Sequence, residues 1–277
     1  MAEAWRVFMI CSIRPIAEAL AGELRALGHE PVALLTPRRP AGDTPPEFLE
    51  LTGSKAPPGI DLLFAKDKWS IERLVRAYEP DLTICWGFPW KIPQAALDVA
   101  RLGSINHHPG LLPRHRGPIP FAWTLRSGDT EWGFTWHRMD AELDTGNILG
   151  QVRVPLDDEH SWEELTPKLA ETVGAMLPAV LARVESGDPG DPQDETQASY
   201  LGKFEPEYVR IDWARPAAEI ERQVRAWRFH AAIPRGGALA EVDGELVRVL
   251  RVSREAGKGT AMACGDGTLW IVETEEP

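Results

Sequence analysis

Apolar positions in the amino-terminal part of the chain fall into short continuous runs separated by stretches at helical spacing. Residues 5–11 (WRVFMIC) form such a run and predict a buried strand, and the leucines and alanines of PIAEALAGELRALG then recur at helical spacing as far as Gly28. PVALLT (31–36) predicts the next strand, a Pro- and Gly-rich loop (RRPAGDTPPEF) follows, SIERLVRAY predicts a helix and DLTIC (81–85) a buried strand. QAALDVA predicts a short helix, and residues 103–105 a strand that delivers Asn106 and His108 at its carboxyl end. Residues 131–139 place Trp132, Phe134 and Trp136 on one face of a strand, 147–154 read as a returning strand, and Asp144 sits in the loop between them. Ser161 with Glu164 forms a capping box for a long helix over 162–185. Alternating strands and helices predict an α/β fold with a mostly parallel sheet, whose carboxyl edge is where ligands collect.

The pattern changes after residue 185. SGDPGDPQDETQA is acidic, rich in Pro and Gly and without periodicity, which predicts a linker over 186–203 between a first domain, 1–185, and a second, 204–277. The second domain opens with a helix, AAEIERQVRAWRF. Asp243-Gly244 then splits two alternating strands into a hairpin, and AMACGDGTLWIVE predicts another pair turning at Gly265 to Gly267. Short antiparallel strands of this kind suit a small barrel-like module.

Composition narrows the classes. The chain has 277 residues, 43% of them hydrophobic, so it can bury a large core and is neither disordered nor fibrous. Its formal net charge of −12 opposes nucleic-acid binding by bulk attraction. Cys11, Cys85 and Cys264 lie far apart and in no C-x-x-C pair, which excludes a disulfide framework and predicts reduced thiols. No apolar run reaches the length of a membrane span and the start has no basic n-region, so the expected location is cytoplasmic, without a membrane partner. CSIRPIAEAL carries no glycine-rich pyrophosphate loop and no G-x-x-x-x-G-K-[ST] occurs, which argues against nicotinamide and nucleoside-triphosphate chemistry.

The densest polar constellation is SINHHPGLLPRHRGPIP (104–120) with MDAELDTGNIL (139–149). Asn offers an amide donor, His a donor or base near neutral pH, and Asp a partner that orients an imidazole and stabilises its charged form. Together they suit attack on a carbonyl carbon. Adjacent residues of a strand point opposite ways, so one of His107 and His108 faces a crevice. His115 and His137 read as metal ligands only where the segment carries an i, i+4 helical pair or an acidic cluster; it carries neither, and no metal is expected.

Asn106-x-His108 followed by Gly110-Leu-Leu-Pro-x-x-Arg116-Gly117, then Leu143-Asp144-Thr145-Gly146, resembles the folate-dependent formyltransferases. DLTICWGFPWKIP (81–93) is similar to that family's folate-pocket loop, and RIDWARPAAEIERQVRAW (210–227) to the start of its carboxyl-terminal domain. The resemblance implies a Rossmann-like domain followed by a small OB-like β-barrel, here truncated. It also implies transfer of a formyl group from 10-formyltetrahydrofolate to a primary amine, with Asn106, His108 and Asp144 as the catalytic triad. Phe88, Pro89, Trp90, Lys91 and Ile92 would line the folate pocket, with Met139 and Asp140 opposite. The residue before Leu-Leu-Pro is Gly110 where many family members that act on methionyl-tRNA have Ser.

Acceptor classes divide on charge. A basic grip on RNA is missing from the loop after the second strand, where Arg38, Arg39 and Lys55 meet Asp43, Glu47 and Glu50. Residues 204–277 carry ten Lys and Arg against thirteen Asp and Glu, although Arg222, Arg225 and Arg228 make a local stripe unless Glu219 and Glu221 pair with them. The expectation is therefore a small amine, an amino sugar nucleotide or an ornithine-type amino acid, with methionyl-tRNA as the alternative. Hydrolysis of the folate ranks third, because the related hydrolases typically carry a regulatory domain at the amino end and this sequence starts with its first strand. A shortened barrel leaves strand edges through which a homodimer is possible.

Overall fold

The structure, a computed structural model, describes residues 3–38, 57–156, 162–228 and 237–277. The loop from Arg39 to Lys55 and the cap at Ser161 lie outside the described residues. The chain divides into two compact units, Met1–Gly117 with Gly133–Tyr200, and Pro118–Trp132 with Leu201–Pro277.

The first unit is built on a seven-stranded sheet of order β3-β2-β1-β4-β5-β6-β7. Its strands are β1 (Arg6–Cys11), β2 (Glu30–Pro37), β3 (Asp61–Ala65), β4 (Leu82–Trp86), β5 (Ser104–His108), β6 (Glu131–Arg138) and β7 (Ile148–Pro155). The five strands from β3 to β5 run parallel, and β6 runs antiparallel to β5. β1 and β4 are buried almost throughout, which is why they read as continuous apolar runs rather than as an alternation. Helices α1 (Arg14–Ala26), α2 (Ile71–Arg76) and α3 (Gln94–Leu97) make the crossovers, and α5 (Trp162–Glu185) follows β7. α1 buries Ala17, Leu20, Ala21 and Leu24, and ends where Gly28 takes a φ of 86°. β3 has no counterpart in the sequence reading: it is short, largely half-exposed, and follows a Pro-rich stretch with no legible period.

The order of strands reverses between β1 and β4, so the chain ends leaving β4 and β5 open a crevice there. The segment read as a linker is held in this first unit as far as Tyr200. Asp191 and Ile148 exchange backbone hydrogen bonds, Ser199 donates its N–H to Pro113 O, and Arg116 donates its own to Ser199 O.

The second unit contains α4 (Pro120–Ser127), α6 (Ala217–Arg228) and an antiparallel sheet of order β10-β11-β9-β8. Its strands are β8 (Ala238–Val242), β9 (Glu245–Ser253), β10 (Thr260–Cys264) and β11 (Gly267–Glu275). Asp243 and Gly244 turn the first hairpin with φ of 52° and 84°, as a tight two-residue connection requires. α6 buries Ile220, Val224 and Trp227, while its buried Gln223 donates to the carbonyls of Tyr208 and Arg210. Glu219 pairs with Arg215 and Glu221 with Arg254, while Arg228 of the arginine stripe pairs with Glu273 of β11. α4 was not legible in the sequence; it is short, begins at a proline and has no side-chain cap.

Candidate active site

Antiparallel pairing of β5 with β6 sets Asn106 opposite His137 and His107 opposite Trp136. Cross-strand partners share a face, so Asn106 and His137 meet on one side of the sheet while His107 turns to the other. The Asn106 amide nitrogen lies 3.1 Å from His137 Nε2. His137 Nδ1 donates to Arg138 O at 2.7 Å, which leaves Nε2 as the nitrogen turned to Asn106 and Asp144.

His108 is 3% exposed and donates from Nε2 to His115 O at 3.0 Å. A carbonyl only accepts, so this contact fixes the tautomer and leaves Nδ1 as the nitrogen that gains or loses a proton. That nitrogen stands 3.6 Å from Asp144 Oδ1, which is also 3.6 Å from His137 Nε2. Asp144 Oδ2 accepts the Gly117 N–H at 2.9 Å. Burial pushes the Asp144 carboxyl up, but His108, His137 and the Gly117 N–H outweigh it and hold the group well below the usual carboxylate range. Burial also lowers His108 below its ordinary value, with the Asp144 charge opposing. At neutral pH the pair is therefore a neutral imidazole beside a carboxylate.

The structure brings Asn106, His108 and Asp144 together and adds His137, which the sequence reading had considered only as a metal ligand. Its place follows from the strand register and not from a local motif. Among the described residues no group of three or more His, Cys, Asp or Glu side chains is arranged to hold a metal ion.

Beside this cluster, Phe88 and Trp90 meet edge to face with centroids 5.5 Å apart, and both pack with Met139 against the core below. Lys91 Nζ reaches Glu142 at 2.9 Å, so the loop after β4 and the loop after β6 face one another. Pro89 is exposed. The Ile92 side chain is buried in the core cluster, which leaves its backbone as what it can offer a ligand. Asp140 is engaged within its own loop, accepting from the Thr145 hydroxyl and the Glu142 N–H.

His107 is 1% exposed and sits among Trp86, Phe134 and Trp136, with ring centroids 4.1, 5.2 and 4.8 Å away. Neither of its nitrogens has a hydrogen-bond partner among the described residues, and burial holds its pKa well below 6.5. A histidine lowered in the folded state contributes stability that is present above its unfolded value and lost as pH falls from there to the folded value. His107→Leu removes two unsatisfied nitrogens and is expected to change stability by less than about 1 kcal/mol at pH 8. It should also lose less stability than the wild type on acidification below pH 6.5. Thermal melts at the two pH values check both.

Sequence profiles of the formyl transferase family match residues 65–181, and profiles of its carboxyl-terminal domain match residues 203–277. The chain is 37% identical over 214 residues to methionyl-tRNA formyltransferase from Pseudomonas entomophila (strain L48), covering 73% of this chain and 67% of the relative. Among solved structures, HypX from Aquifex aeolicus in complex with tetrahydrofolic acid superposes with a TM-score of 0.72 at 20% identity; the match covers 99% of this chain but 44% of HypX. A 4-N formyltransferase from Francisella tularensis superposes with a TM-score of 0.68 at 17% identity, over 89% of this chain and 97% of that one. These two likenesses show the fold. With both family domains matched in order, and two thirds of a relative covered at more than one identical position in three, the chain belongs to the formyltransferase family.

Proposed function

We propose that the chain transfers the formyl group of 10-formyltetrahydrofolate to a primary amine at Asn106, His108 and Asp144. The observation that carries this is the geometry: His108 Nε2 is engaged by His115 O, its Nδ1 stands 3.6 Å from the buried Asp144 carboxylate, and the Asn106 amide lies on the same side of the sheet. Phe88, Trp90 and Met139 form an apolar wall of the kind that holds a flat ring, flanked by backbone polar groups, and so fit a pterin. Bound 10-formyltetrahydrofolate would supply the activated formyl carbon. Asn106 has a second amide hydrogen beyond the one aimed at His137, and this donor stabilises negative charge growing on the formyl oxygen as the amine attacks. His108 Nδ1 takes the proton the amine sheds, and Asp144 stabilises the imidazolium formed. The same proton then passes to the departing nitrogen, so the protein ends as it began.

For the acceptor, similarity to methionyl-tRNA formyltransferases supports the α-amino group of methionyl-tRNA ahead of the small amine expected from charge. A small amine remains the second reading, favoured by the net −3 of residues 204–277. The deciding assay offers the purified chain 10-formyltetrahydrofolate with initiator methionyl-tRNA, with amino sugar nucleotides, with hydroxylated ornithines, or with no acceptor, and follows released tetrahydrofolate. Formylated methionyl-tRNA at physiological salt supports the first reading. Turnover confined to a small amine replaces it with the second, and equal release without acceptor identifies a hydrolase.

A further inference from the structure

We propose that Gln193, in the segment that follows α5, is a positioning residue that holds Asp144 at the reaction centre; this rests on the role assigned to Asp144 above. The Gln193 amide nitrogen donates to Asp144 O and to Gly146 O, each at 2.8 Å. Its amide oxygen accepts from Arg116 Nε at 3.1 Å and Arg116 Nη2 at 2.8 Å. Both hydrogens and both lone pairs of the amide are thus in use. Arg116 is itself 7% exposed and pairs with Glu195, so the clamp is anchored on a buried guanidinium.

The backbone shows why a clamp is required here. Asp144 has a φ of 59°, a left-handed conformation that a non-glycine residue keeps only where its surroundings hold it. Gly146 passes so close to the Arg138 carbonyl that any Cβ would collide with it, which fixes the far side of the turn. Gly117 holds the Asp144 carboxylate, and Gln193 holds the Asp144 carbonyl. Arg116 lies between His115, whose carbonyl sets the His108 tautomer, and Gly117, whose N–H sets the carboxylate. Gln193 therefore ties the loop that orients His108 to the loop that carries Asp144. Without it, the left-handed backbone at Asp144 is free to relax to negative φ, which carries the carboxylate away from His108 Nδ1.

The test uses Gln193→Ala and Gln193→Met in the full chain. Met keeps the length and neutrality of the side chain and removes every hydrogen bond, so it decides the matter if the Ala variant fails to fold. Steady-state transfer and the NMR titration of His108 are measured for each. A misplaced reacting group costs up to about 100-fold, so kcat is expected to fall at least ~10-fold while KM for the formyl donor stays within about twofold. The His108 pKa should move further below 6.5 than in the wild type, because the charge that opposes its lowering has withdrawn. A folded variant in which either kcat or the His108 pKa stays at the wild-type value overturns the proposal. If the wild type itself transfers formyl to no amine, the functional reading fails instead, and the His108 titration alone decides whether Gln193 places Asp144.

Discussion

Asp144→Asn is expected to lower kcat by at least about 100-fold with the fold intact, since a positioned acid–base partner contributes on that order. The replacement has the same shape, and its side-chain oxygen can still accept the Gly117 N–H that Asp144 accepts at 2.9 Å. What it loses is the charge. The Asp144 carboxylate opposes the lowering of His108 by burial, so in the variant the His108 pKa falls further below 6.5 and the imidazole becomes a poorer base. A base must be neutral to accept a proton, so wild-type kcat/KM is lost on the acid side as pH falls through the His108 value, below pH 6.5. The acid limb of Asp144→Asn should lie at still lower pH. NMR titration of His108 and a pH profile of kcat/KM check the two statements separately, and Asp144→Ala should show at least the same loss of turnover.

Asn106→Ala is expected to cost about 100- to 1,000-fold in kcat, the usual loss for one preorganised donor to a developing oxyanion. KM should change little, because the donor acts on charge that is absent from the ground state. Asn106 is half-buried and its side-chain partner, His137, is held independently through Arg138 O, so the fold should tolerate the truncation. Asn106→Asp separates donation from shape. It is isosteric but presents a second negative charge where the oxygen charge grows, and it should be no better than Ala. Near-normal turnover in either variant would remove Asn106 from the role assigned to it.

The parts of this molecule legible in its sequence are those set by local pattern. β1, β4 and α1 announce themselves by apolar runs and helical spacing because they are buried on the faces that the pattern describes. Asn106 and His108 fall at the end of a strand, and alternation along that strand puts His107 on the opposite face from them. His137 escaped because its role depends on the register between β5 and β6. Gln193 escaped for another reason. Its segment has the acidic, Pro- and Gly-rich composition of a linker, and composition reports solvent preference, not the hydrogen bonds that loops elsewhere in the chain supply. Net charge, in a similar way, does not decide the acceptor, since it describes the field around the protein and not the group that reacts.

The central claim is that His108 and Asp144 move a proton while a formyl group passes from the folate to an amine. It is tested most directly by a single-turnover reaction with 10-formyltetrahydrofolate carrying an isotopic label in the formyl group, run with methionyl-tRNA or a small amine on wild type and Asp144→Asn. The account predicts label on the acceptor nitrogen in step with tetrahydrofolate release in the wild type, and both slowed together by about 100-fold or more in the variant. Label appearing as free formate at the same rate with and without acceptor, or equal transfer by the two proteins, would contradict it.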